Sequence, residues 1–296
     1  ASEAEVFSIR DAVSRSPMPP TLSRASCATE AGVPAGASHT SSPRPPVGYN
    51  TAPMTESGQR RAYRRVLLKM SGEVFSGGKP FGIDPQTVSY LAQEVACLAH
   101  EGIQVAVVVG GGNFVRGEDF SRQGGIDQAV ADYMGMLGTV INAMALQEAI
   151  ERANVPTRVM SAIEVRALCE SFIRRRALRH LEKGRVVVLA AGTGNPFFTT
   201  DTAAVLRAIE LGCDVLFKAT KVDGVYNRDP MQDPSAARYE SLSFDEAINE
   251  RLAVMDQTAF TLCREHSLPV VVLSIHEPGA ILKAAKGAPV GTLVGG

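Results

Sequence analysis

From Tyr63 onward, strand-length runs of apolar, often β-branched residues recur at 65–70, 103–109, 157–162, 185–191, 214–219 and 269–275, separated by helix-like stretches. A strand apolar at nearly every position is buried on both faces, and strands alternating with helices build parallel sheets. The pattern therefore predicts an α/β fold, a three-layer α/β/α sandwich with a mostly parallel central sheet. Between the first two strands, Asp84 stands as N-cap, Pro85 at the first helical position, and Val88, Leu91, Val95 and Leu98 recur at helical spacing before Gly102. That is an amphipathic crossover helix. A second helix spans about 128–152, with Met134, Leu137, Ile141, Met144 and Leu146 reading as core or subunit contacts.

Residues 1–61 differ in kind. They are crowded with Ser, Pro, Ala, Thr and Gly, and no lysine precedes Lys69. The composition predicts disorder. A Ser- and Arg-rich leader fits an organellar transit peptide, for a plastid rather than a mitochondrion, with a non-targeting tail as the plain alternative. Met54 stands as a candidate internal start. Residues 62–296 read as one domain, and 45% hydrophobic residues in 296 are enough for a large core.

A net charge of −1 offers no general attraction to nucleic acid or anionic lipid. No apolar run approaches membrane-spanning length, and no membrane partner is expected. The five cysteines are scattered without a Cys-x-x-Cys pair and read as reduced core residues, apart from Cys27. The five histidines show no ligand or triad spacing.

Candidate chemistry gathers at three strand ends. Gly192-Thr-Gly-Asn-Pro-Phe-Phe-Thr-Thr-Asp201 leaves one apolar run and opens a helix. Small residues let a backbone close around an anion, the threonines add hydroxyls, and a helix N-terminus adds unpaired N–H groups. Asp201 there also reads as an ordinary cap. Val66-Leu-Leu-Lys-Met-Ser-Gly72 carries Lys69 inside an otherwise apolar strand, where a lysine needs an anionic partner or a shifted pKa. Gln104-Val-Ala-Val-Val-Val runs into Gly110-Gly111-Gly112, with Arg116 four residues beyond. Ligands of open parallel sheets lie outside the carboxyl ends of the strands, so the three loops point to one crevice for a phosphorylated ligand.

Neither Gly-x-x-x-x-Gly-Lys-Ser/Thr nor Gly-x-Gly-x-x-Gly occurs, which sets aside the two common nucleotide fingerprints. With Asp132-Tyr-Met-Gly-Met136 and Lys218-Ala-Thr-Lys-Val-Asp-Gly-Val-Tyr-Asn-Arg-Asp-Pro230, however, the three elements fall in a familiar order. From Tyr63 to Gly296 the chain resembles the bacterial-type UMP kinases of the amino acid kinase superfamily, and the resemblance implies the amino acid kinase fold. The Gly-Thr-Gly-Asn-Pro-Phe-Phe-Thr-Thr-Asp run is its most discriminating piece. Segments similar to Lys-Val-Asp-Gly-Val-Tyr occur on the ATP side of related kinases of carbamate, acetylglutamate, aspartate and glutamate, so an amino acid or carbamate acceptor is the nearest alternative.

The resemblance implies transfer of the ATP γ-phosphoryl to UMP, with Lys69, Asp201 and Arg116 as the catalytic group. On the ATP side it implies Lys69, Met70, Ser71, Gly72, Gly112, Arg116, Thr220, Tyr226 and Asp229. On the UMP side it implies Gly111, Asp132 for the ribose hydroxyls, and the loop Thr193, Gly194, Asn195, Pro196, Phe197, Phe198, Thr199 and Thr200. Asp201 is expected to orient Lys69 or a magnesium-bound water. Mg²⁺ is expected to arrive with ATP, since no metal cage is evident. A homohexamer and a GTP or UTP effector are implied as well, the effector near Ser76-Gly-Gly-Lys-Pro-Phe-Gly82. Taken without the resemblance, Asp132, Tyr226 and Asp229 read as surface, core and turn residues.

A different class of function rests on Ile173-Arg-Arg-Arg-Ala-Leu-Arg-His-Leu-Glu-Lys-Gly-Arg185. Its basic stripe on a predicted helix suits RNA phosphates, although few aromatics lie near and such a stripe is also an ordinary solvated face.

Overall fold

The computed structural model describes residues 63–115, 125–230, 232–233, 235–250, 252 and 254–295, so the leader 1–61 and Arg116 lie outside the described residues. The six apolar runs form β1 (Arg65–Met70), β2 (Gln104–Val109), β3 (Thr157–Ser161), β5 (Val186–Ala190), β6 (Val215–Thr220) and β8 (Val270–Ser274). Each agrees with its expected span to within a residue at either end. Three short strands were not expected: β4 (Glu170–Ser171), β7 (Ser241–Leu242) and β9 (Thr292–Val294). Among the described residues the sheet order is β4-β3-β5-β2-β1-β6-β8-β9-β7. Every pairing is parallel except β8 with β9.

Side chains alternate across a strand, and β1 distributes itself accordingly. Val66, Leu68 and Met70 face a layer made by α1 (Pro85–His100), α2 (Gln128–Arg152) and α7 (Ala280–Ala285). Leu67 faces the opposite layer of α3 (Arg174–Glu182), α4 (Thr200–Leu211), α5 (Phe244–Asn249) and α6 (Gln257–Glu265). Full burial of a side chain such as Leu67 or Leu68 contributes about 1.5–3 kcal/mol. Lys69 therefore shares the face of Leu67. α1 starts as its sequence predicts, with the Asp84 carboxylate accepting from the Thr87 amide at 2.9 Å and Pro85 in the first turn.

Helix α2 is two-sided. Ala143, Leu146 and Ile150 face the core and Asn142 is fully buried, whereas Val130, Tyr133, Leu137, Ile141 and Met144 form an exposed apolar stripe. Leu137, Ile141 and Met144 thus stand outside the core of the chain. By length and composition α2 is also long and apolar enough to cross a membrane, contrary to the sequence expectation. Its inner face is nevertheless a core face, packed on β2, β3 and β5. Cys213 and Cys263 are buried thiols as expected, while Cys97 and Cys169 are half-buried, and Cys27 lies outside the described residues. On α3 the basic stripe is largely engaged: Arg176 pairs with Glu170, Arg179 with Glu182, and Arg174 donates to the Glu210 carbonyl.

Candidate active site

Lys69 of β1 and Lys218 of β6 are register partners in adjacent parallel strands and point to the same face. Two buried ammonium groups side by side repel each other unless an anion stands between them. Asp201, in the first turn of α4, is that anion. Its Oδ1 lies 2.8 Å from Lys69 Nζ and its Oδ2 lies 2.7 Å from Lys218 Nζ. Burial works against the Asp201 charge, but the attraction of Lys218 and Lys69 outweighs it and holds the carboxyl well below its ordinary range. Lys218 moves down from the ordinary lysine value, because burial and neighbouring Lys69 outweigh the support of Asp201 and Asp256.

Asp201 is not the cap of its helix. Thr199 is, accepting from the Asp201 and Thr202 amides at 3.1 and 3.2 Å, which leaves the Asp201 carboxylate for the lysines. The preceding loop is tied to α2 at two points. The Ala191 amide donates to Thr139 Oγ1 at 2.6 Å, and the Phe197 amide donates to Asp132 Oδ2 at 2.8 Å. Ala191 and Phe197 both have positive φ, 61° and 69°, a conformation side chains seldom adopt and one that recurs at ligand sites. Thr193 folds the loop on itself through the Asn195 amide, and Gly194 turns back to Ala191. Phe197 and Phe198 project outward with 74% and 52% exposure, so the loop offers aromatic faces rather than core. Pro196 and Thr200 complete it, Thr200 as the first residue of α4.

The glycine turn after β2 meets the end of β1. A Cβ on Gly72 would lie 2.3 Å from the Gly112 nitrogen, and one on Gly111 would lie 2.3 Å from the Gly135 carbonyl of α2. Only glycine permits such contact. Asn142 of α2 locks the turn by donating to the Gly110 carbonyl at 2.8 Å and exchanging hydrogen bonds with Asn113. Asn113 also donates to the Gly82 carbonyl at 2.9 Å, attaching the 76–82 segment to the same turn. Met70 ends β1, Ser71 begins the turn, and Thr220 ends the neighbouring β6. Tyr226 and Asp229 lie farther along the chain after β6, where the Tyr226 hydroxyl donates to Asp223 at 2.7 Å.

Lys69, Asp201, Gly72, Gly111, Gly112, Asp132 and the 193–200 loop are thus brought to one end of the central strands. Arg116 is outside the described residues. Among the described residues no group of three metal-type ligands occurs, and both Asp201 oxygens are engaged by lysines. The arrangement suits a polyanion: two ammonium groups aligned by one carboxylate, beside loop amides and a helix N-terminus.

Four residues of this arrangement carried no role in the sequence reading. Lys218 bears the same signal as Lys69, a lysine inside an apolar strand. Thr139 and Asn142 are buried polar residues in an apolar helix, and Asp256 stands before a helix as a cap would.

Residues 64–274 match the model of the amino acid kinase family. A uridylate kinase of Xanthomonas campestris pv. campestris is 54% identical over 235 residues, which span 79% of this chain and 98% of that protein. Among solved structures, the UMP kinase of Bacillus anthracis superposes with a TM-score of 0.77 at 38% identity, covering 79% of this chain and 97% of that one. The UMP kinase of Ureaplasma parvum does so at 0.74 and 34% identity, covering 80% and 100%.

Proposed function

This chain belongs to the amino acid kinase family, and from that premise we propose that it transfers the γ-phosphoryl of ATP to UMP, giving ADP and UDP. The observation that carries the reading is Lys69 and Lys218 clamped on Asp201 beside the glycine turn and the 193–200 loop. The names of the relatives set the acceptor.

The phosphate of UMP is largely dianionic near neutral pH, so no base need abstract a proton. One of its oxygens attacks the γ-phosphorus, the bond to the bridging oxygen of ADP breaks, and ADP leaves with that electron pair. Repulsion between the two polyanions is the obstacle, and the protein's part is alignment and charge stabilisation. Lys69 and Lys218 face the transferring group, Gly111, Gly112 and Arg116 hold phosphates around the line of transfer, and Asp201 keeps the two ammonium groups apart. Met70, Ser71, Gly72, Thr220, Tyr226 and Asp229 form the ATP side. Asp132 takes the ribose of UMP, and residues 193–200 close over it. Mg²⁺, held by ATP phosphates and water, would neutralise further charge.

The full chain should release ADP with UMP present, and UDP should accumulate in equal amount. Parallel reactions with CMP, carbamate and acetylglutamate complete the test. Turnover with carbamate or acetylglutamate and none with UMP would move the protein to another branch of the family.

Three finer features belong to the same proposal. The exposed stripe Val130, Tyr133, Leu137, Ile141 and Met144 supports self-association, to a homohexamer on the resemblance, which light scattering of the wild type and of Leu137→Glu checks. The 76–82 segment, bonded to the glycine turn through Gly82 and Asn113, supports an effector site for GTP or UTP. A titration leaving the rate and UTP sensitivity unchanged counts against it. The composition of residues 1–61 supports an organellar address, a plastid by preference, which a fluorescent fusion of that leader would reveal.

A further inference from the structure

Asp256 stands at the N-cap of α6, where its carboxylate accepts from the Ala259 amide at 2.9 Å. Capping occupies only part of its capacity. The same carboxylate receives the Thr202 hydroxyl at 2.9 Å and, on Oδ2, the Thr199 hydroxyl at 2.5 Å. Thr199 is itself the cap of α4, and its oxygen already accepts the Asp201 and Thr202 amides. A hydroxyl accepting two amides has one proton left to donate, and here that proton goes to Asp256. The hydrogen bonds therefore run without a break from Asp256 through Thr199 to the Asp201 backbone, whose carboxylate holds Lys69 and Lys218. Two residues before Asp256, the Val254 carbonyl accepts from Lys218 Nζ, so the chain leading into α6 also touches Lys218 directly.

We propose that Asp256 is a positioning residue for phosphoryl transfer: through Thr199 it fixes the first turn of α4, and with it the carboxylate that aligns Lys69 and Lys218. The proposal deepens the kinase reading and rests on it. Asp256 also contributes charge. The groups around Lys218 are Lys69 from β1, Asp201 from α4 and Asp256 from α6, with buried Cys263 of α6 near the two carboxylates. Burial and Lys69 disfavour the Lys218 ammonium, whereas Asp201 and Asp256 favour it. Removal of the Asp256 charge lets Lys218 release its proton at lower pH.

An ordinary cap makes the opposite prediction. Asn caps a helix about as well as Asp, so an Asp256 that only capped α6 would tolerate Asp256→Asn almost silently. In that variant an NH₂ group replaces an acceptor, and the relay to Thr199 is left with two donors face to face. The test compares wild type and D256N by steady-state kinetics with ATP and UMP and by NMR titration of ¹³C-labelled lysine, with Lys218 assigned from K218M. For D256N we expect kcat lower by at least about ten-fold, with both KM values within about three-fold of wild type. The Lys218 titration should move down by about one pH unit. An unchanged kcat or an unmoved Lys218 titration overturns the proposal. Should D256N fail to fold, Thr199→Ala takes its place, because it breaks the relay and leaves the α6 cap in being. Thr199→Ser should restore the rate, and wild-type kcat in Thr199→Ala overturns the proposal. If wild type itself leaves UMP unphosphorylated, the kinase reading falls, and the lysine titration still decides the link from Asp256 to Lys218.

Discussion

Lys69 and Lys218 lie opposite each other in adjacent parallel strands and point to the same face of the sheet. Their ammonium groups would force the strand ends apart if the two oxygens of Asp201 did not separate them. The fold thus brings two cations together with a buried carboxylate between them. Replacing either lysine with Met keeps the length and apolar stem of the side chain and leaves Asp201 one partner. Lys69→Met and Lys218→Met should each lower kcat by about 10²–10³-fold or more, with circular dichroism close to wild type. Near-normal turnover in either variant removes that lysine from the chemistry. Asp201→Ala should be worse for the fold than for binding, since two buried ammonium groups lose their counter-charge, at a cost of about 3–5 kcal/mol read by urea denaturation.

Thr139 holds the start of the 193–200 loop from a distance in sequence. Its hydroxyl accepts the buried Ala191 amide and donates to the Met136 carbonyl. Thr139→Val keeps the volume but orphans the amide, which should cost about 1–3 kcal/mol in a denaturant melt. The KM for UMP should rise more than that for ATP, because Ala191 leads into the 193–200 loop. Thr139→Ser should recover both. Equal stability of the Val and Ser variants would show that the amide finds another partner.

What could be read from the sequence follows from the range of the forces involved. The six long strands and helices α1 and α2 declare themselves through local periodicity and local caps such as Asp84. Lys69 declares itself because an ammonium in an apolar strand has few explanations. Strands of two or three residues such as β4 and β7 carry no period of their own and form only because a neighbouring strand offers its edge. The pairing of Lys218 with Asp201 was equally hidden, although the lysine itself stood in plain view. Asp256 shows the limit most clearly. Its cap is local, but its bonds to Thr199 and Thr202 reach 57 and 54 residues back, and nothing in the sequence near Asp256 announces them.

Two glycines on either side of one contact should respond in opposite ways. A methyl on Gly111 would enter the Gly135 carbonyl at 2.3 Å, and both atoms belong to backbones that cannot swing aside. Gly111→Ala should therefore destabilise by about 1–3 kcal/mol. A methyl on Gly135 meets nothing within 4 Å and sits in the interior of α2, where alanine is favoured over glycine by about 0.5–1 kcal/mol. Urea midpoints of the two variants should fall on opposite sides of wild type. A Gly111→Ala midpoint at or above wild type would mean that the glycine turn is looser than the close approach requires.

Acid should reach the fold through Asp201 and the reaction through UMP. The lysine pair holds the folded-state pKa of Asp201 below its unfolded value, so protons bind the unfolded chain first as pH falls. The stability Asp201 supplies is therefore complete above about pH 4 and fades below it. Urea midpoints of wild type should fall more steeply than those of Asp201→Asn between pH 5 and pH 3, the other carboxylates being common to both; parallel curves would contradict the burial of the carboxylate between its two lysines. Because Asp201 stays ionised well below neutrality, it cannot set the acid limb of the rate. That limb should follow the second ionisation of the acceptor phosphate, near about pH 6, and shift with the acceptor rather than with the enzyme. Uridine 5′-thiophosphate, which loses its last proton at lower pH than UMP, should carry the acid limb of kcat/KM down with it. A limb that stays in place would assign the titration to a group of the protein.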